Sequence, residues 1–200
     1  KDGNLVFLYS NDFDSQHSLI EAAKNRDYSV VLFDTPTAPH FIGKLEQKLE
    51  KTKFTRIDGD TIDKLIEKEE NIPSKLSEDD KKAIQPVIEE VIDKARFTVQ
   101  FQSMSEKDRP AVVVMPEFMR RMKEMSAMGG GGMMGMENMP DAYNLVVNEN
   151  HPVIGKMLSE KDNGKQKHMA KQVADLALLS QNLLQGEELT KFINRSIELI

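Results

Sequence analysis

LVFLYSNDFDSQHSLIEAAKNRDYSVVLF, running from Leu5 to Phe33, carries the pattern that sets the fold of the first third of the chain. LVFLY (Leu5–Tyr9) is a continuous apolar run of strand length. The spacing of Leu19, Ile20 and Ala23 then predicts a helix, with Asp14 or Ser15 placed to cap it, and Ser29–Phe33 reads as a second strand. The alternation continues outward. TPTAP puts Pro39 in a first helical turn, Phe41, Ile42, Leu45 and Leu49 share one face of that helix, and Phe54–Ile57 supplies a third short strand. Strands alternating with helices argue for a small parallel sheet with right-handed crossovers. Asp60 is placed to cap a further helix to about Glu70, and the charged stretch after it marks a boundary.

Beyond that boundary the texture changes. Ser77 and Asp80 form a capping-box pattern for a helix bearing Ile84, Val87, Ile88 and Val91, which Pro86 should kink or restart. Strands are expected over Ala95–Gln102, Ala111–Met115 and Tyr143–Val147, and the short gap between the first two predicts an antiparallel hairpin. Two helical segments follow, about Lys165–Leu184 and Leu189–Ile200, separated by Gly186. The expected architecture is an α/β parallel-sheet subdomain over residues 1–72, then an α+β domain over 73–200.

Leu, Ile, Val and Phe make up 52 of the 200 residues, above the roughly 20% below which chains stay disordered. The chain can bury a core. A net charge of −6 offers no electrostatic footprint for nucleic acid. With no cysteine, disulfide scaffolds, thiolate zinc sites and cysteine nucleophiles are excluded, and a reducing compartment fits. Apolar runs such as Ala111–Met115 fall far short of the ~20 residues of a membrane span. The start at Lys1, without an initiator methionine or signal core, reads as a piece of a longer protein.

Ten of the twelve methionines lie between Met104 and Met139. At ~100° per residue, Met115, Phe118, Met119, Met122, Met125 and Met128 fill one half of a helix, with Arg120, Arg121, Lys123 and Glu124 on the other. Such a face is either core or an adaptable apolar surface that repacks around many partners. The GGGGMMGMENM that follows favours the surface, because four glycines make a packed arrangement of the next methionines entropically costly. Thioether coordination of Cu(I) lacks a supporting Cys or His cluster. The glycine run is no phosphate cradle, since Met133 follows it where a P-loop needs Lys and Ser or Thr. Asp12, Asp14 and Asp34 at strand ends resemble a phosphoacceptor cluster only faintly. His151, before Pro152, reads as a cap or packing residue, and His17, His40 and His168 show no ligand spacing.

On the first terminal helix Met169, Val173, Leu176, Ala177, Leu179, Leu183 and Leu184 cover an arc of ~160°, with Leu178 nearly opposite. On the last, Leu189, Phe192, Ile193, Ile197, Leu199 and Ile200 share one face. Two such helices either cap their own domain or pair with a twin as a four-helix bundle.

RPAVVVMPEFMRRMKEM (Arg109–Met125), LVVNENHPVIGKML (Leu145–Leu158) and KQVADLALLSQNLLQGEELTKFINRSIELI (Lys171–Ile200) together resemble the carboxy-terminal domain of the heat-shock protein 90 chaperone family, in its bacterial form. NENHPVI is similar to the family's Asn-Pro-x-His-Pro-x-Ile motif, with Glu149 where Pro is usual. The resemblance implies that residues 1–72 are the last α/β subdomain of the family's middle segment and 73–200 its dimerisation domain. Val173, Leu176, Leu179, Leu183, Leu184, Phe192, Ile193 and Ile197 would then form a homodimeric four-helix bundle. Phe118, Met119, Met122, Met125 and Met128 would contact unfolded or partly folded client proteins. It also implies a cytoplasmic stress-response chaperone whose ATP and magnesium are bound outside this chain. The chain itself would hold no cofactor or metal, catalyse nothing, and bind neither nucleic acid nor membrane. Competing classes are the methionine-rich module of the signal recognition particle, which is all-helical and basic, and a receiver-type phosphotransfer domain.

Overall fold

The computed structural model describes residues 3–66, 72–116, 118–120 and 141–198. The chain divides into two compact units. The described part of the first comprises residues 3–66 with 115, 116 and 118–120, and the second comprises 72–114 and 141–198.

In the first unit, β1 (Leu5–Ser10), α1 (His17–Lys24), β2 (Val30–Leu32), α2 (Ala38–Lys48), β3 (Thr52–Arg56) and α3 (Ile62–Leu65) follow in order. All strands are parallel, in the order β2-β1-β3. Register pairs Phe7 with Phe54, and their rings stack at 5.2 Å. Strand alternation puts Tyr9 on the same face as Phe7. There Ile42 and Leu45 of α2 pack on Tyr9 and Phe54 to form a local core. The helix starts differ from the expected caps. Asp12 Oδ1, rather than Asp14 or Ser15, accepts the loop N–H groups of Asp14 and Ser15, and α1 begins at His17 without a side-chain cap. Asp60 Oδ1 accepts the Thr61 N–H at 2.8 Å, and α3 starts one residue later. Arg26 grips Asp63 through Nε and Nη2 at 2.8 and 3.1 Å, tying the end of α1 to α3.

In the second unit, α4 (Glu78–Glu90), β4 (Phe97–Gln102), β5 (Ala111–Val114) and β6 (Tyr143–Asn148) precede α5 (Pro152–Ser159), α6 (Asn163–Leu179) and α7 (Gly186–Ile197). Ser77 and Asp80 close a reciprocal capping box on α4. The helix runs through Pro86. Lys82 and Pro86 are both exposed, so water can take the carbonyl that loses its partner.

The sheet corrects the expected hairpin. Its order is β4-β6-β5: β4 lies parallel to β6, and the antiparallel pair is β5 with β6. β6 takes the centre because Leu145, Val146 and Val147 are buried on both faces, whereas β4 exposes Thr98 and suits an edge.

The end of α6 is also corrected. Asn182 adopts a left-handed φ of 56°. The Leu183 N–H then reaches back to the Leu178 carbonyl at 3.0 Å, and Asn182 N–H to Leu179 at 3.1 Å, a Schellman closure. Leu183 and Leu184 therefore sit in the turn after α6, not on it.

Candidate protein-interaction surfaces

The first surface lies on α6 and α7. α6 turns Ala170, Val173, Ala174 and Ala177 into its own unit, whereas α7 buries Phe192 alone. Outside remain Leu176 at 45% exposure, Leu179 at 37%, Ile193 at 48% and Ile197 at 63%. Of the eight residues expected at a dimer interface, those four are exposed and Leu183 is half-buried. Val173, Leu184 and Phe192 are already buried within the chain.

Sequence periodicity missed what joins these two helices. Asp175 has no exposed surface, yet its carboxylate receives Lys171 Nζ at 2.9 Å and Arg195 Nη2 at 2.6 Å. Lys171 also reaches Glu188 at 2.9 Å. Arg195 donates its Nε to Gln172 Oε1 at 2.8 Å and stands over the Phe192 ring. Burial opposes the Lys171 charge, but the hydrogen bonds it donates to Asp175 and Glu188 outweigh burial and raise its pKa. Donation from Lys171 and then Lys191 holds the Glu188 carboxyl at about 2. The available signal was an acid inside the apolar run Val173–Ala177, four residues after a lysine.

The second surface is the turn of helix at residues 118–120. Phe118 is 70% exposed, Met119 half-buried and Arg120 4% exposed. The Arg120 guanidinium stands 5.9 Å from the Tyr9 ring centroid. Arg120, expected on the solvated half, thus packs on the first unit while Phe118 faces solvent. Met122, Met125 and Met128 lie outside the described residues.

The NENH stretch is a polar knot. Asn150 Oδ1 accepts the Lys75 N–H at 2.8 Å, and Nδ2 donates to the carbonyls of Pro73 and Met104. Asn148 donates to Ser105. Burial pushes the Glu149 carboxyl up, but hydrogen bonds from Ser74, Lys81 and Ser103 more than compensate and keep its pKa below the usual range. His151 Nδ1 accepts the Val153 N–H and so caps α5, which requires a neutral imidazole. Burial lowers its pKa in the direction that keeps it neutral. These residues tie together the segment entering the unit, the end of β4 and the start of α5.

A cavity of about 760 Å³ opens between the end of α4 and the turn after α6, lined by Val91, Ile92, Phe97, Leu178 and Leu183 among others. Its cations are already engaged: Lys171 by Asp175 and Glu188, and Arg96 over the rings of Phe97 and Tyr143. Among the described residues no three His, Cys, Asp or Glu side chains are grouped to hold a metal, and no helix is long and apolar enough to cross a membrane.

The sequence model of the Hsp90 protein family matches residues 8–199. The chain belongs to the Hsp90 family. Its relatives include the chaperone protein HtpG of Bacteroides thetaiotaomicron, 33% identical with the whole chain covered, and that of Bacteroides fragilis at 32%. The chaperone protein HtpG of Porphyromonas gingivalis is 41% identical over 82% of the chain. The chain spans 39% of the first relative's length and 24% of the last one's. The strands among the described residues of this Hsp90 chain set it apart from an all-helical methionine module. Among the described residues, large apolar side chains are exposed on α6 and α7, at Phe118, and also at Leu5, Val31, Leu32 and Phe41 of the first unit.

Proposed function

We propose that this chain is the dimerisation and client-contact part of a molecular chaperone. The whole protein assists folding in the cytoplasm under stress and depends on ATP and magnesium bound outside this chain. The chain itself contributes binding surfaces and no catalytic step. One observation carries the reading: Leu176, Leu179, Ile193 and Ile197 stay exposed on two joined helices whose other apolar residues are buried or half-buried. A second copy is the occupant. Fully burying a Leu or Ile side chain contributes about 1.5–3 kcal/mol, and a two-fold interface counts each residue twice. Four half-exposed aliphatics on a single chain then supply eight to the interface.

Client contact is assigned to the turn of helix at residues 118–120. Arg120 on one side packs onto the first unit, which leaves the Phe118 side open. The methionine-rich sequence that follows suits partners of varied shape. The test is titration of the chain with a labelled, permanently unfolded polypeptide, read by fluorescence anisotropy. Phe118→Ser should weaken binding at an unchanged melting temperature. Equal affinity in the variant contradicts the client assignment.

A further inference from the structure

We propose that Asp175 is the register pin of the dimer face: its buried carboxylate fixes where α7 lies along α6, and so makes one continuous surface of the exposed residues on both helices. The inference rests on the dimer reading and names what shapes that site.

α7 has little else to hold it. Phe192 is its one buried side chain, and a lone apolar side chain in a groove is a weak guide to position, because the hydrophobic effect is non-directional. Polar contacts supply the direction. Arg195 bonds to Asp175 and Gln172, Gln172 Nε2 pairs with Ser196 Oγ at 3.3 Å, and Glu188 meets Lys171 two turns earlier on α7. Sliding α7 by one turn, about 5.4 Å, breaks all of these contacts together. It would also leave Asp175, which has no exposed surface, with an unpaired carboxylate oxygen. The penalty for a buried charge missing a partner is what makes the wrong register costly.

The apolar face depends on this register. Leu176 and Leu179 belong to α6, Ile193 and Ile197 to α7. They make one patch only while the two helices keep their present alignment. Leu176 directly follows the pin, and Ile193 and Ile197 flank Arg195 by two residues on each side.

The test compares the wild-type chain with Asp175→Asn, a nearly isosteric change that removes the charge. Sedimentation equilibrium reads dimer affinity, and amide hydrogen exchange reads α7 separately from β6. The pin predicts dimerisation weakened by at least about 30-fold and faster exchange along residues 187–197, with wild-type protection in β6. If Asp175→Asn loses β6 protection as well, the Asp175→Asn/Arg195→Gln variant, which removes both charges of the Asp175–Arg195 pair, replaces it under the same criteria. Dimer affinity within about threefold of wild type together with unchanged α7 exchange overturns the pin. A wild-type chain that is monomeric at every concentration overturns the dimer reading instead. The pin is then judged on exchange alone, with fast α7 exchange in the variant supporting it and wild-type exchange overturning it.

Discussion

The guanidinium of Arg120 lies 5.9 Å from the centroid of the Tyr9 ring, holding the residue-118 turn of helix against strand β1 of the first unit. A cation over a desolvated aromatic face contributes about 0.5–2 kcal/mol. Arg120→Ala should therefore lower the stability of the first unit by roughly that amount. Phe118→Ala, at an exposed position, should change it by less than about 0.5 kcal/mol. Urea unfolding followed by tyrosine fluorescence checks both. The reverse ranking would mean that the helix turns its other side inward.

Glu188 supplies a pH dependence with a definite sign. Its carboxyl titrates at about 2 in the folded chain, against an ordinary value of 4.5. A depressed folded pKa contributes stability that is present above 4.5 and is lost as pH falls through that value toward about 2. The side chain is 47% exposed, so solvent screening keeps the contribution small. Carboxyl-detected NMR should place the Glu188 midpoint near 2, and α7 amides should lose protection first as acid is added. A midpoint near 4.5 would remove the Lys171 and Lys191 contacts from the account.

Asn150 should be costly to truncate. Asn150→Ala leaves the Lys75 N–H and the carbonyls of Pro73 and Met104 without their partner. Unsatisfied buried groups cost about 1–3 kcal/mol each, and partial access of water at residues 73–75 brings the expected total to about 3 kcal/mol. Chemical denaturation of the second unit measures it. A change below about 0.5 kcal/mol would show that the knot is replaced by water without loss.

The strands of the first unit were legible because Leu5–Ser10, Val30–Leu32 and Thr52–Arg56 are compact apolar or β-favouring runs separated by single helices. The Ser77–Asp80 capping box was legible because it is local. What escaped was non-local or depended on a backbone twist. A short gap between β4 and β5 predicts a hairpin, and only the burial of β6 on both faces explains why it inserts between them. Hydrophobic periodicity ran past Asn182, whose left-handed φ ends α6 and moves Leu183 and Leu184 into a turn. At the candidate interface, periodicity found the apolar residues but could not separate Leu176 and Ile193, which face out, from Val173 and Phe192, which face in. Asp175 was silent because a buried acid becomes legible only when the fold brings Arg195 and Lys171 to it.

ATP should not bind to this chain if nucleotide chemistry resides outside it. Calorimetric titration with Mg-ATP is expected to show no saturable heat up to millimolar ligand. Saturation in the micromolar range would require a nucleotide site within these 200 residues and would contradict the division of labour proposed here.

Dimerisation through α6 and α7 is the central claim, and sedimentation equilibrium tests it most directly. The wild-type chain should run at micromolar concentration with twice its mass of 22.7 kDa. Leu176→Glu places one carboxylate from each copy in the shared face, where desolvating an unpaired ion costs several kcal/mol; this variant should run as a monomer with a wild-type circular dichroism spectrum. A wild-type monomer at hundreds of micromolar, or a Leu176→Glu variant that stays dimeric, would contradict the account.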